Sequence, residues 1–402
     1  MSKNTKIKRA LEVLMVSTKL GLTSFGGPIA HLGYYHTEYV EKRKWLDERS
    51  YADLVALCQF LPGPASSQVG IGIGTSRAGL LGGIAAWIGF TMPSAILMIL
   101  FAFLLQGFDI GGAPFIHGLK IVAVVIVAHS ILSMGKKLAN EKLTATIAVA
   151  AAIGVLIFQT AMTQVVIILL SGLLGMFLFK NTLPATDRLV NNTEKNKTQN
   201  KEHNTSNHYS LIFLGIFFAL LVALPVLREI FPNRMMEIFD SFYRSGSLVF
   251  GGGHVVLPLL ELEVVPPNWI SKSDFLAGYG AAQAIPGPLF AFSSYLGMLI
   301  GGLKGAFVAL IAIFLPAFLL IVGVIPYWNR LRQIESIKRA LIGVNAAVVG
   351  ILLAALYNPL WTNAIIDAKS FALAAVLFVC MNYWKIPPIG IVVLGAIGGM
   401  II

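Results

Sequence analysis

Phe25-Gly26-Gly27-Pro28, Trp45-Leu46 and Gln59-Phe60-Leu61-Pro62-Gly63-Pro64 are written a second time as Phe250-Gly251-Gly252-Gly253, Trp269-Ile270 and Gln283-Ala284-Ile285-Pro286-Gly287-Pro288. Phe25 to Phe250 is an offset of 225; Trp45 to Trp269, Gln59 to Gln283 and Pro62 to Pro286 are offsets of 224. Further on, Gly74/Gly297, Gly79/Gly302, Gly82/Gly305 and Pro93/Pro316 hold an offset of 223, so single-residue gaps account for the drift. Each copy breaks a membrane-length apolar run with Pro-Gly-Pro. A duplicated chain with Gly/Pro-interrupted segments at corresponding positions reads as a secondary transporter.

Composition agrees. Hydrophobic residues make up 56% and charged residues 12%, with a mean hydropathy of +0.78. Soluble domains carry roughly twice that charge. In hydrocarbon every backbone group must be satisfied within its own segment, so the apolar runs predict helices. The expected class is an all-α polytopic protein of the prokaryotic cytoplasmic membrane. Lys3, Lys6, Lys8 and Arg9 lead straight into the first repeat, and no cleaved signal is expected. The net charge of +11 resides in short loops and tails, which is the positive-inside distribution rather than a nucleic-acid footprint. Cys58 and Cys380 have no partner at metal-ligand spacing, and the repeat places Ala282 opposite Cys58, as for a small apolar residue.

Loop charge orients the two copies. The loop His36 to Arg49 carries Lys42, Arg43, Lys44 and Arg49, whereas its counterpart Glu261 to Ser273 has Lys272 against Glu261 and Glu263. Between Gln106 and Phe115 there is no cation, but Tyr327 to Arg339 has Arg330, Arg332, Lys338 and Arg339. Lys136, Lys137 and Lys142 then face the cation-free stretch Asn358 to Ile366. The bias alternates, so the same loop is expected on opposite sides of the membrane in the two halves: an inverted repeat. Residues 1–180 form the first repeat, 181–208 a polar cytoplasmic linker, 209–231 a connecting crossing and 232–402 the second repeat. Full crossings are expected at 80–105, 116–134, 143–159, 163–179, 210–230, 304–326, 340–357, 369–383 and 388–402. Broken or re-entrant helices are expected around Phe25, Pro62/Pro64, Phe250 and Pro286/Pro288.

The breaks suggest chemistry. Pro cannot donate to the helical ladder and Gly admits unusual conformations, so Pro-Gly-Pro ends one half-helix and starts another with free N–H groups. A helix N-terminus with free N–H groups and the dipole behind it holds anions. Gly26, Gly27, Gly251 and Gly252 add bare backbone. Pro and Gly also kink ordinary membrane helices, but two breaks at equivalent positions, each preceded by Gln59 or Gln283, favour function. Lys19 and Arg244, equivalent at offset 225, are candidates for compensating a dianion or for snorkelling to the headgroups. Ser66, Ser67 and Gln68 follow the first Pro-Gly-Pro without a polar match in the second, which predicts more substrate contacts from the first half. His31 and His254 are candidates for proton coupling. Glu38 and Glu263, also equivalent, read as solvated structural carboxylates, and Arg77 as the anchor of a helix end. Neither metal nor organic cofactor is expected, and no Walker pattern is present.

Phe25 to Pro28, Tyr34 to Val40, Glu41-Lys-Arg-Lys-Trp-Leu46, Ala56 to Pro64 and Gln68 to Gly74 resemble the chromate transporter family in its long, two-domain form, and Phe250 to Pro288 resembles its second domain. The resemblance implies homologous halves of opposite orientation and export of chromate driven by the proton gradient, conferring resistance. By position it points to Gly26, Gly27, Pro28, Gln59, Pro62, Gly63 and Pro64, and to Gly251, Gly252, Gln283, Pro286, Gly287 and Pro288. Chromate is a tetrahedral dianion, and sulfate fits the same chemistry. The expected partners are such an anion, protons and the lipid bilayer, with a homodimer left open. An intramembrane lipid-diphosphate phosphatase is the alternative from another class, but the clustered Glu and the Arg beside Ser67 that it needs are missing.

Overall fold

The computed structural model describes residues 3–107, 113–158, 160–180, 207–250, 253–331 and 333–402, with backbone alone at 3, 29, 161, 162, 207–209, 254, 329 and 330. Gly251, Gly252 and linker residues 181–206 therefore lie outside the described residues. In the first half, α1 (Lys3–Thr23) leads to α2 (Gly27–Tyr35), which continues as a π-helical turn (His36–Lys42). Then come α3 (Glu48–Phe60), α4 (Ala65–Ala78), α5 (Leu80–Gly107), α6 (Pro114–Leu138), α7 (Lys142–Ile157) and α8 (Ala161–Leu178). Helix α9 (Asn207–Ile230) connects to α10 (Arg234–Leu248). A 3-10 turn (Gly253–Val255), α11 (Val256–Val264), α12 (Lys272–Ala282) and a second 3-10 turn (Leu289–Ala291) follow. The chain ends with α13 (Phe292–Val324), α14 (Glu335–Ala355), α15 (Ala368–Asn382) and α16 (Pro388–Ile401). No strand occurs among the described residues.

The repeated sequence produces repeated local structure. Asp47 caps α3 by accepting from the Ser50 amide, and Ser271, its equivalent, caps α12 by accepting from the Asp274 amide. Between α4 and α5 the chain turns at Gly79 (φ 68, ψ −156), and inside α13 it turns the same way at Gly302 (φ 62, ψ −155). That conformation suits glycine alone. Beside each turn two glycines bring helices into backbone contact, Gly74 with Gly82 and Gly297 with Gly305, where a Cβ on either would enter its partner's carbonyl.

Among the described residues five helices are long and apolar enough to cross a membrane, and α7, α8, α15 and α16 are shorter apolar helices. Together they fall on the nine runs read from sequence. Their outer faces carry exposed apolar side chains, such as Phe218 at 60% and Val222 at 70%, as lipid-facing surfaces do.

The sequence gives no hint of how the halves interlace. Helix α6 of the first half packs on α15 and α16 of the second, while α14 of the second packs on α7 and α8 of the first. Gly118 of α6 meets the Gly395 carbonyl of α16, and Gly343 of α14 meets the Ser171 carbonyl of α8. At the centre α5 lies against α13, with Trp87 and Phe314 edge to face at 6.0 Å. Each half thus lends its final hairpin to the other.

Candidate functional site

Both Pro-Gly-Pro segments form real breaks, and each is fastened to the opposite half. The Gly63 amide donates to the Val249 carbonyl at 2.7 Å, and the Gly287 amide donates to the Ser24 carbonyl at 2.9 Å. These are the same bond made twice, since 63/287 and 24/249 are repeat equivalents. Gly63 and Gly287 reach it at φ 119 and φ 97, conformations that a side chain would strain. The Gly amides therefore hold the halves together. What remains free for a ligand is the first turn of the helix that each break starts.

One cavity of about 500 Å³ lies where the halves meet. Gly26, Gly27 and Pro28 line it from the N-terminal end of α2, with Gly26 in the left-handed conformation and Pro28 fitting the first turn. Opposite them are Gln283, Ile285, Gly287 and Leu289, which span the second break and open the turn before α13. Two helix starts therefore converge on one space, and their partial positive charge favours an anion there. Among the described residues Gln283 Nε2 is buried without a hydrogen-bond partner.

Sequence reasoning missed the rest of the wall. His129, Ser130 and Ser133 line the cavity from one face of α6, and Lys385 comes from the loop before α16. His129 Nδ1 lies 2.8 Å from Asn382 Oδ1, which fixes the ring. The signal was present, because polar side chains inside an apolar crossing mark function. Comparison between copies hid it: the second half is apolar there, from Ile351 to Ala355. Lys385 is the cation of this wall, and no carboxylate is among its described lining residues.

Other candidates sit elsewhere. Gln59 is exposed, and neither it nor Pro62, Gly63, Pro64, Pro286 and Pro288 lines the cavity. Ser66 and Ser67 are buried in the first turn of α4, where Ser66 Oγ is 3.3 Å from His31 Nδ1. Gln68 Nε2 donates to the Pro62 carbonyl at 2.8 Å and so braces the first break. Among the described residues buried Ser67 Oγ, Gln68 Oε1 and His31 Nε2 have no hydrogen-bond partner. These polar atoms flank the first break, while the cavity draws on the second break and on the Gly-Gly of the first half. The first half does not dominate the lining, contrary to the sequence expectation. The His254 side chain lies outside the described residues.

Lys19 and Arg244 are each found in an ion pair. Lys19 Nζ is 3.7 Å from Glu38, and Arg244 is 3.0 Å from both Glu263 and Asp240. The equivalent cation meets the equivalent carboxylate in each half. Glu38 and Glu263, read as solvated, have side chains only 7% and 10% exposed. Arg77 pairs with Glu12 at 3.1 Å and lies over the Trp45 ring at 4.7 Å, a helix-end anchor as expected.

The chromate transporter family's sequence profile matches residues 11–176 and 236–400, which covers both copies. A probable chromate transport protein of Synechococcus elongatus is 28% identical over 393 residues, covering 95% of this chain and 93% of the relative. The chromate transport protein of Cupriavidus metallidurans is 27% identical over 384 residues, covering 93% and 88%. That of Pseudomonas aeruginosa is 26% identical over 342 residues, covering 83% and 77%. No solved structure matches the chain. The apolar crossings and these relatives together make it a multi-pass protein of the cell membrane. With both copies matched along most of their length, the chain belongs to the chromate transporter family.

Proposed function

We propose that this protein is a secondary transporter that carries chromate out of the cytoplasm in exchange for protons, and so confers chromate resistance. One observation carries the reading. The cavity between the halves is built from two helix N-termini, Gln283 Nε2, three polar side chains of α6 and Lys385, with no carboxylate among its described lining. Donors and partial positive charge on several sides suit a tetrahedral dianion, and a cation would find no counter-charge. The two halves work as inverted repeats that rock about this cavity and expose it to each side in turn. Alternating loop charges, the doubled Gly63–Val249 and Gly287–Ser24 bonds and the doubled Gly79/Gly302 turns support that symmetry. The equivalent helices α3 and α12 differ in burial. Residues 275–282 of α12 are all buried, whereas α3 buries Tyr51, Leu57 and Cys58 and leaves Ala56 and Gln59 exposed.

Chromate flux into proteoliposomes under an imposed pH gradient, with sulfate as competitor, tests this. Proton-dependent chromate movement supports it. Strong sulfate transport with chromate ignored would make sulfate the substrate of the same site, and a folded protein that carries neither ion would remove the oxyanion reading.

A further inference from the structure

A second cavity, of about 270 Å³, shares no lining residue with the first and lies among α7, which presents apolar Val155 and Leu156, α8, α11 and the end of α14. Glu261 faces it from α11 and is 7% exposed. Among the described residues its carboxylate has no hydrogen-bond or ion-pair partner. Lys272, the first residue of α12, also lines the cavity, but its ammonium donates to Asn358 Oδ1 at 3.2 Å. Gln164 of α8 donates to the Pro258 carbonyl at 3.3 Å and keeps a buried, unpaired Oε1. Further charges near α11 are committed, since Arg244 of α10 donates to both Glu263 and Asp240, and Arg228 also pairs with Asp240. Helix α14 presents apolar Ala355, and the His254 side chain of the preceding turn lies outside the described residues. Glu261 stands outside the membrane-crossing helices. Burial pushes its carboxyl up to about 7, against the pull of Lys272.

The repeat supplies the counterpart. Glu261 corresponds to His36 at offset 225, and Lys272 to Glu48 at offset 224. The charges are exchanged between copies, and in the first half the pair is made. His36 Nε2 lies 2.7 Å from Glu48, with Glu41 at 3.3 Å from Nδ1. One half joins the two positions; the other holds them apart around a cavity.

We propose that Glu261 and Lys272 form a proton-controlled latch that closes when Glu261 is ionised, as His36–Glu48 is closed here, and stands open when Glu261 is protonated. Opening takes one proton from water onto the Glu261 carboxylate, and closing returns it as the Lys272 ion pair forms. An unpaired buried carboxylate is costly, so protonation is the natural companion of the open state. The latch rests on the proton-coupled transport proposed above and gives the coupling a residue other than His31 and His254.

The test uses the full-length protein in proteoliposomes with chromate as probe. Glu261→Gln is expected to lose gradient-driven accumulation by about tenfold while chromate–chromate exchange without a gradient stays within about twofold. Exchanging the charges (Glu261→Lys with Lys272→Glu) is expected to restore part of the accumulation. Should the Gln variant fail to fold, Lys272→Gln makes the same comparison. Gradient-driven accumulation unchanged by these variants would overturn the latch. If the unaltered protein carries no chromate, the transport reading fails, and infrared titration of the purified protein then decides the proton site alone. A protonated-carboxyl band that titrates near neutral pH and vanishes in Glu261→Gln supports it; absence of that band overturns it.

Discussion

Pro28 and Gly253 occupy the same position in the two copies and lie against one another, with a Cβ on Gly253 falling 3.6 Å from Pro28 Cγ. Both residues line the cavity where the copies meet. The departure from strict repetition also gains a reason: one ring fits there beside a glycine.

Gly253→Ala should therefore be tolerated, because its methyl group enters at ordinary contact distance. Gly253→Leu should fill the cavity. We expect chromate flux within about twofold for Ala and a loss of about tenfold or more for Leu, with unchanged thermal unfolding in detergent. Equal flux from both variants would detach this cavity from transport.

Gly63→Ala and Gly287→Ala should each cost about 1–3 kcal/mol, since both positions hold φ values that side chains resist. The space is tight as well: a Cβ at 287 would lie 2.9 Å from Ser94 Oγ, and one at 63 would lie 3.1 Å from Gln68 Nε2. Lower melting temperatures are expected for both. Replacing Pro62, Gly63 and Pro64 together by Ala should heal the helix and abolish flux in a protein that still folds. A triple variant with normal transport would end the broken-helix account.

Lys385→Ala should raise the KM for chromate about tenfold, with sulfate competition weakened in parallel. Lys385→Arg should keep most of the affinity. The split between KM and kcat in initial-rate flux reports it, and an unchanged KM in the Ala variant would place the bound anion away from this side chain.

Glu38 sets an acid limit on stability. Burial works to raise its pKa, but the Arg43 hydrogen bond at 2.8 Å and the charges of Lys19, Arg43 and Lys42 hold it below the ordinary 4.5. A depressed carboxyl contributes stability that is fully present above its unfolded pKa and is lost as pH falls through the folded one. Glu38→Gln should thus cost about 1–3 kcal/mol at neutral pH. The gap should narrow below pH 4.5 in thermal melts taken across the acid range.

Much of this architecture was legible because backbone breaks write themselves in Gly and Pro. Gly79 and Gly302 could be paired by offset, and they do adopt one conformation. The cavity was half legible. Gly26, Gly27, Pro28, Gln283 and Gly287 were named from the repeat and line one cavity from opposite sides. His129, Ser130, Ser133 and Lys385 have no matching partner in the other copy, so a search by equivalence passed over them. Lys19 and Arg244 misled for the opposite reason. Their repetition is real but preserves an ion pair, and spacing alone does not show that Glu38 and Glu263 fold back to meet them. The exchange of hairpins was illegible, since which half covers α6 depends on contacts more than 250 residues apart, such as His117 with Ser370.

That exchange dictates how the chain must be made. While the ribosome is still short of residue 368, the face of α6 bearing Gly118 has nothing to cover it, and α7 and α8 wait for a seat that α14 has yet to supply. Neither copy covers these faces from within itself. Severed between residues 180 and 207, the pieces would have to find each other and clasp like a pair of hands. What began as duplication has become mutual dependence.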